Sequence, residues 1–205
     1  KQNLIIGKLK PGEILTLKSI TESTGISQTP AREALLRLVS EHLLELVHGR
    51  SVTVPVLTRD AFIELRDIRI RLETLAIERA CPHVTDREIE RLTKTHHQYT
   101  QFHRRSDHAG VLTTNVDFHT TIYNAANMPN LLAMIENLWA RTGPYAGFMY
   151  KTPVTDHPDG HPHEHIISAL KKRNIKESKT AITEDIQRIG KRMIEYLERE
   201  HLFNR

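Results

Sequence analysis

The sequence predicts a mainly helical chain in two parts: a winged helix-turn-helix over residues 1–57, then an all-α bundle of about six helices over residues 58–205. Three observations carry this. Strand-like alternation of apolar residues is confined to the stretch around His48-Gly49-Arg50. From Thr58 onward apolar residues recur at helical spacing, in blocks opened by capping residues and closed by Pro, Gly or Asn. The length of 205 residues is comfortable for one small and one larger domain.

In chain order, a short apolar piece from Leu4 to Leu9 leads into Lys10-Pro11-Gly12-Glu13, a turn signal. Thr16 then caps a short helix that carries Leu17 and Ile20 inward and is stopped by Gly25. Ser27 is the expected N-cap of a second helix, in which Pro30 is tolerated in the first turn and Ala34, Leu35, Leu38 and Val39 form the apolar stripe. Leu44, Leu46, Val52, Val54 and Val56 alternate with polar neighbours about His48-Gly49-Arg50, the pattern of a β-hairpin and hence of a wing. The bundle starts with a helix over 59–80, ended by Cys81-Pro82. Thr85-Asp86-Arg87-Glu88 has capping-box spacing and opens a helix to about 104. A third covers 108–127, and a fourth begins at Pro129 and carries Leu131, Ile135, Leu138 and Trp139. A proline-bearing loop spans 152–162, a fifth helix covers 163–173, and Asn174-Ile175-Lys176-Glu177 opens a long last helix to about 201.

Composition narrows the function classes. With 39% hydrophobic and 26% charged residues the chain is an ordinary globular sequence, not a disordered or collagen-like one. No window reaches the roughly 18 consecutive apolar residues of a membrane span, so no membrane partner is expected. The first residues have no signal-peptide pattern and the single Cys81 excludes an internal disulfide, so a cytoplasmic location is expected. No H-E-x-x-H, Walker loop, G-x-G-x-x-G or Ser-His-Asp order is present, so the chain reads as a non-enzyme.

A winged helix-turn-helix presents the start of its second helix to the DNA major groove and its wing to the backbone or minor groove. The residues at those places are Ser27, Gln28, Thr29 and Arg32, with His48, Gly49 and Arg50 at the wing tip. Gln28 can bond an adenine edge, Arg32 a guanine or phosphate, and Ser27, Thr29 and Lys18 phosphate oxygens. Residues 1–57 hold seven Lys/Arg against five Asp/Glu, a net of +2, so the case rests on pattern, and a plain surface helix fits the same residues. Three segments then resemble the DNA-binding domain of the GntR superfamily of bacterial transcription regulators: Gly7-Lys8-Leu9-Lys10-Pro11-Gly12-Glu13, Gly25 through Leu35, and His48-Gly49-Arg50. The resemblance implies a double-stranded DNA operator as partner, and it leaves Lys1 to Ile6 to represent only the end of the family's first helix. It also marks a departure, because Gln28 stands where the family usually has Arg, which implies a different base preference.

Eleven of the 13 histidines follow residue 57, which directs attention to metal ligation. Asn115 and His119, four apart, project from one helix face. His163 starts the fifth helix and Asp185 lies on the sixth, and antiparallel packing about Asn174 brings them to one level. Two imidazoles, a carboxylate and an amide oxygen suit a divalent cation of the Zn, Ni or Mn class, although solvated or structural histidines fit the spacing too. This half resembles the FCD-type effector domain of the fatty-acid-regulator-like subgroup, through Arg69-Ile70-Arg71-Leu72-Glu73, Asn115-Val116-Asp117-Phe118-His119, Asn127-Met128-Pro129-Asn130-Leu131, and His163 with Ala169-Leu170. Many members hold a divalent metal through an Asp and three His and use it to bind a small carboxylate. Carried over by position, the ligand set is Asn115, His119, His163 and Asp185, with Asn115 where Asp is frequent and Asp185 where the last His usually stands.

His163 is preferred to its loop neighbours His157, His161 and His165 because its spacing to Ala169-Leu170 fits the family helix. Arg69 is the candidate partner for an effector carboxylate, with a salt bridge to Glu73 as the competing role. Tyr123 and Arg141 are the further effector-binding candidates, with Tyr145 and Tyr150 beside them, and core or rim packing is the competing role for Arg141, Tyr145 and Tyr150. The whole reads as a ligand-responsive repressor acting as a homodimer. Two alternatives stand beside it: a metal-free pocket for a bulky ligand such as an acyl-CoA, and a metal-dependent enzyme.

Overall fold

The computed structural model describes residues 1–47, 51–149 and 161–203. The first part runs α1 (Gln2–Ile5), β1 (Ile14–Thr16), α2 (Leu17–Thr24), α3 (Gln28–Ser40), β2 (Glu45–Val47) and β3 (Ser51–Thr53). Thr16 closes a strand and opens a helix at once: its hydroxyl accepts from the Ser19 N–H at 3.0 Å while the Ser19 hydroxyl accepts from the Thr16 N–H at 3.1 Å. Gly25, at φ +72°, ends α2 in the left-handed conformation that costs a Cβ-bearing residue most.

Ser27 occupies the N-cap position of α3, but its hydroxyl makes no capping bond, so the expected cap is positional only. The inward face of α3 is Ala31, Leu35, Leu38 and Val39, an i, i+4, i+7, i+8 stripe, whereas Ala34 falls outside it and is exposed. The sheet has three strands in the order β1-β3-β2, all antiparallel, with Leu15 and Leu46 both opposite Val52. β1 was not expected, because three residues with only Leu15 buried show too little alternation to register as a strand. The pairing expected through Val56 stops at Thr53; beyond it Val54 donates to the Glu13 carbonyl and accepts from the Gly12 N–H, which pins the Pro11-Gly12 turn against the sheet. The wing tip, His48 to Arg50, lies outside the described residues.

The second part is α4 (Arg59–Ala80), α5 (Asp86–Arg104), α6 (His108–Asn124), α7 (Pro129–Met149), α8 (Pro162–Lys171) and α9 (Ile175–Arg199). The expected starts have their chemistry in place: the Thr85 hydroxyl accepts from the Glu88 N–H at 3.2 Å and Glu88 accepts back from the Thr85 N–H at 2.7 Å. Asn174 accepts from the Glu177 N–H at 3.1 Å. α7 carries Pro144 inside it, which leaves the Ala140 carbonyl without its helical donor. Helix α4 packs on α9, α5 on α6 and α8 on α9, and no helix among the described residues is long and apolar enough to cross a membrane.

One apolar core runs through both parts, joining Leu4, Leu15 and Val52 to Ile77, Phe118, Ile135 and Ile182. Contacts on α7 join the parts, two of them closely packed. The end of α1 lies directly on Gly143, where a Cβ would stand 2.5 Å from the Ile5 carbonyl oxygen and closer still to that of Leu4. Two residues on, the buried Tyr145 hydroxyl accepts from the Leu57 N–H at 2.6 Å, and its ring meets Phe62 edge-on. Tyr145 therefore fastens the segment between sheet and bundle, where the sequence had offered effector lining or packing.

Candidate metal centre and nucleic-acid interface

Helices α6, α8 and α9 bring His119, His163 and Asp185 together, each buried, with one ligand atom of each lying within 4.8 Å of the others. His119 Nε2 is 3.3 Å from Asp185 Oδ2. The other oxygen, Asp185 Oδ1, and both ring nitrogens of His163 are buried with no hydrogen-bond partner. Orphaned buried groups of this kind are expensive unless something occupies the space between them. A divalent cation fits the donors present, since two imidazoles and a carboxylate are a borderline N/O set. Burial, aided by His119, His161 and His96, pushes His163 well below the ordinary histidine range, and a neutral imidazole is the ligating form. His163 is further held by stacking on Phe118, ring centroids 3.9 Å apart.

His119 and Asp185 line a cavity of about 90 Å³ that Asn115, one turn before His119, also lines. Arg69 lines it as well, and both roles weighed for it are compatible: its Nε donates to Glu73 Oε1 at 2.7 Å. Burial pulls the Arg69 guanidinium down, but the adjacent Glu73 carboxylate outweighs this and leaves it above its ordinary value.

Glu73 is the organising residue that sequence reasoning undervalued. Fully buried, it accepts from Arg69 Nε, from the Tyr123 hydroxyl at 2.7 Å and from Trp139 Nε1 at 2.9 Å, joining α4, α6 and α7. Tyr123 is thus a strut behind His119, its hydroxyl 3.5 Å from His119 Nδ1, and it is not among the residues lining the cavity. Burial and then Glu73 raise its phenol well above the ordinary value. Arg141 lies apart from Arg69, on a separate cavity between the sheet and α4 that includes Leu44, Val54 and Leu57. The same cavity is lined by a residue no motif pointed to: Ile5, from α1 of the first part, together with Gly143.

Of the neighbouring histidines, His165 is exposed and His157 lies outside the described residues, as does Tyr150. His161 is the N-cap of α8, its Nδ1 accepting from the His163 N–H at 3.2 Å, and burial pushes it down to about 4.

On the first part, Gln28, Thr29 and Arg32 stand exposed along the opening of α3, with Ser27 just before them. Lys18, on α2, is exposed and 3.9 Å from Glu22, a surface pair of small energetic weight. Ser27, free of capping duty, and the first-turn side chains therefore face outward together, as a major-groove reader requires.

Two protein-family models match the chain. The family "Bacterial regulatory proteins, gntR family" matches residues 1–54, and the FCD domain matches residues 64–188. The chain is 37% identical over 151 residues to the HTH-type transcriptional regulator McbR of Escherichia coli, covering 74% of this chain and 68% of that protein. The solved structure of E. coli McbR/YncC superimposes with a TM-score of 0.88 at 31% identity, covering 97% of this chain and 93% of that one. The Nta operon transcriptional regulator of Aminobacter aminovorans is 25% identical, covering 92% of this chain and 88% of that protein. The chain belongs to the GntR family of bacterial transcription regulators, with an FCD domain behind its DNA-binding winged helix, and is a regulator rather than an enzyme.

Proposed function

We propose that this regulator is a cytoplasmic homodimeric repressor that releases a pseudo-palindromic operator when its helical domain binds a small organic acid. The two working units are residues 1–57 and 58–205. One observation carries the reading: a single cavity is lined both by Arg69, Asn115, His119 and Asp185 of the helical part and by Ile5 of the DNA-binding part. A ligand there touches both parts, and if it favours one packing of α1 on α7 it shifts the placement of the winged domains; affinity alone would shift nothing.

Asn115, His119, His163 and Asp185 would hold a divalent cation of the Zn, Ni or Mn class, which when bound supplies a positive centre for a carboxylate. With Arg69 neutralised by Glu73 and the cation partly by Asp185, the site keeps one net positive charge, the complement of a monocarboxylate. A cavity of about 90 Å³ favours such a small acid over an acyl-CoA, because pockets for larger ligands run to hundreds of Å³.

Elemental analysis with a thermal-shift screen of small carboxylates, with and without chelator, tests this. Near-stoichiometric divalent metal and stabilisation by one acid that chelator abolishes are expected, about 2.7 kcal/mol at a hundredfold excess over Kd. Absence of metal, with His119→Ala leaving every ligand response intact, would overturn it.

Toward DNA, Ser27, Thr29 and Lys18 hold phosphates, Gln28 and Arg32 read base edges, and the wing tip His48-Gly49-Arg50 completes the footprint. Gln28→Arg is expected to move the preferred base at one position of each half-site toward guanine, by roughly 1–3 kcal/mol of discrimination. Selection from a randomised operator library reads this directly, and an unchanged preference at every position refutes it.

A further inference from the structure

His163 belongs to two ligand groups. Besides His119 and Asp185, it lies with His96 and His161, one nitrogen of each of these three within 4.8 Å of the others. His96 comes from α5, and its two nitrogens differ. Nε2 is 3.4 Å from Glu164 Oε1, whereas Nδ1 is buried and has no hydrogen-bond partner. A carboxylate that holds one ring nitrogen as N–H fixes the tautomer and leaves the lone pair on the other, the arrangement that orients metal-bound histidines. Glu164 also accepts from the His161 backbone N–H at 3.2 Å, which holds the start of α8 in place beside His96. His163 brings two partnerless buried nitrogens, one more than the first group needs.

We infer that His96, His161 and His163 form a second cation site, separate from the His119–Asp185 centre and sharing His163 with it. His96 Nδ1 and the two ring nitrogens of His163 make no hydrogen bond to each other, yet one nitrogen of each ring lies within 4.8 Å of the other, a gap one ion can span. Three neutral imidazoles with no carboxylate ligand select Zn²⁺ or Cu²⁺ over Mg²⁺ and Ca²⁺. His161 takes part by giving up its bond from the His163 N–H, since ligation through either ring nitrogen removes Nδ1 as an acceptor. The site joins α5 to α8, whereas the first joins α6, α8 and α9. Where both fill, His163 bridges the cations as an imidazolate and its ring proton passes to solvent.

The test uses the full chain with the first group disabled by His119→Gln and Asp185→Asn, which keeps the failure of that centre distinguishable from the failure of this one. Folding is checked by a thermal melt. Titration with Zn²⁺ alone by calorimetry, and with Cu²⁺ alone by electron paramagnetic resonance, is expected to show one equivalent with nitrogen hyperfine structure. Adding His96→Gln should abolish that equivalent, and adding Glu164→Gln should weaken it by about 10- to 100-fold, the usual effect of losing an outer partner. No bound equivalent in the folded double variant, or one that survives His96→Gln, would overturn the assignment.

Discussion

Glu73→Ala is expected to be the most damaging single substitution in the helical domain, costing about 3–5 kcal/mol. Three donors converge on this one buried carboxylate, from Arg69, Tyr123 and Trp139. Truncation strands all three: the guanidinium loses its counter-charge, and a buried hydroxyl and a buried indole N–H are left without acceptors. Glu73→Gln keeps the shape and one acceptor oxygen but removes the charge, so it should fall between the two. Denaturant melts of the three proteins give the order wild type, Gln, Ala, and equal midpoints for Ala and wild type would show that Glu73 contributes only volume. Because Tyr123 backs His119, the Gln variant should also weaken metal binding.

Gly143→Ala ranks second and acts where Gly143 and Ile5 line the cavity. The new methyl has nowhere to go, because what it meets is the backbone of Leu4 and Ile5 and not the movable tip of a side chain. Overpacking of this kind costs about 1–3 kcal/mol, or α1 must lift from α7. A domain pair of this size then melts several degrees lower, at roughly 2–4 °C per kcal/mol. If α1 lifts, Ile5 leaves the cavity wall, and operator release should lose its dependence on effector while effector binding persists. Effector titrations read by operator anisotropy and by thermal shift separate these effects; an unchanged melting point with full coupling would refute the role given to this contact.

Much of this was legible in the sequence, and the limits have physical causes. The helix starts at Thr85 and Asn174 were readable because capping chemistry is local, four residues long and built from distinctive side chains. His119, His163 and Asp185 were assembled from helical spacing and an antiparallel turn, with the resemblance deciding among the histidines. Glu73 was visible only as the i,i+4 partner of Arg69, since its other donors come from 50 and 66 residues away. Ile5 had no signal at all: an apolar residue near the chain start looks the same whether it packs under its own domain or walls another's cavity. Arg141 is an effector candidate that the structure separates from the pocket: it stands about 200° round the helix from Trp139, and the two residues line different cavities. His96 was hidden among polar neighbours on α5, where nothing local shows that His161 and His163 lie above it.

Trp139, which lines the cavity and donates to Glu73, is the only tryptophan in the chain. Its indole ring stands 6.3 Å from the ring of His119, centroid to centroid. All tryptophan emission from this protein therefore originates beside the proposed effector site, from a buried indole fixed by its bond to Glu73. Paramagnetic Cu²⁺ or Ni²⁺ held by His119 lies within quenching range, whereas Zn²⁺, with its filled d shell, leaves the emission bright. The regulator carries its own optical gauge, on which the arrival of a cation, and which kind it is, can be followed without a label.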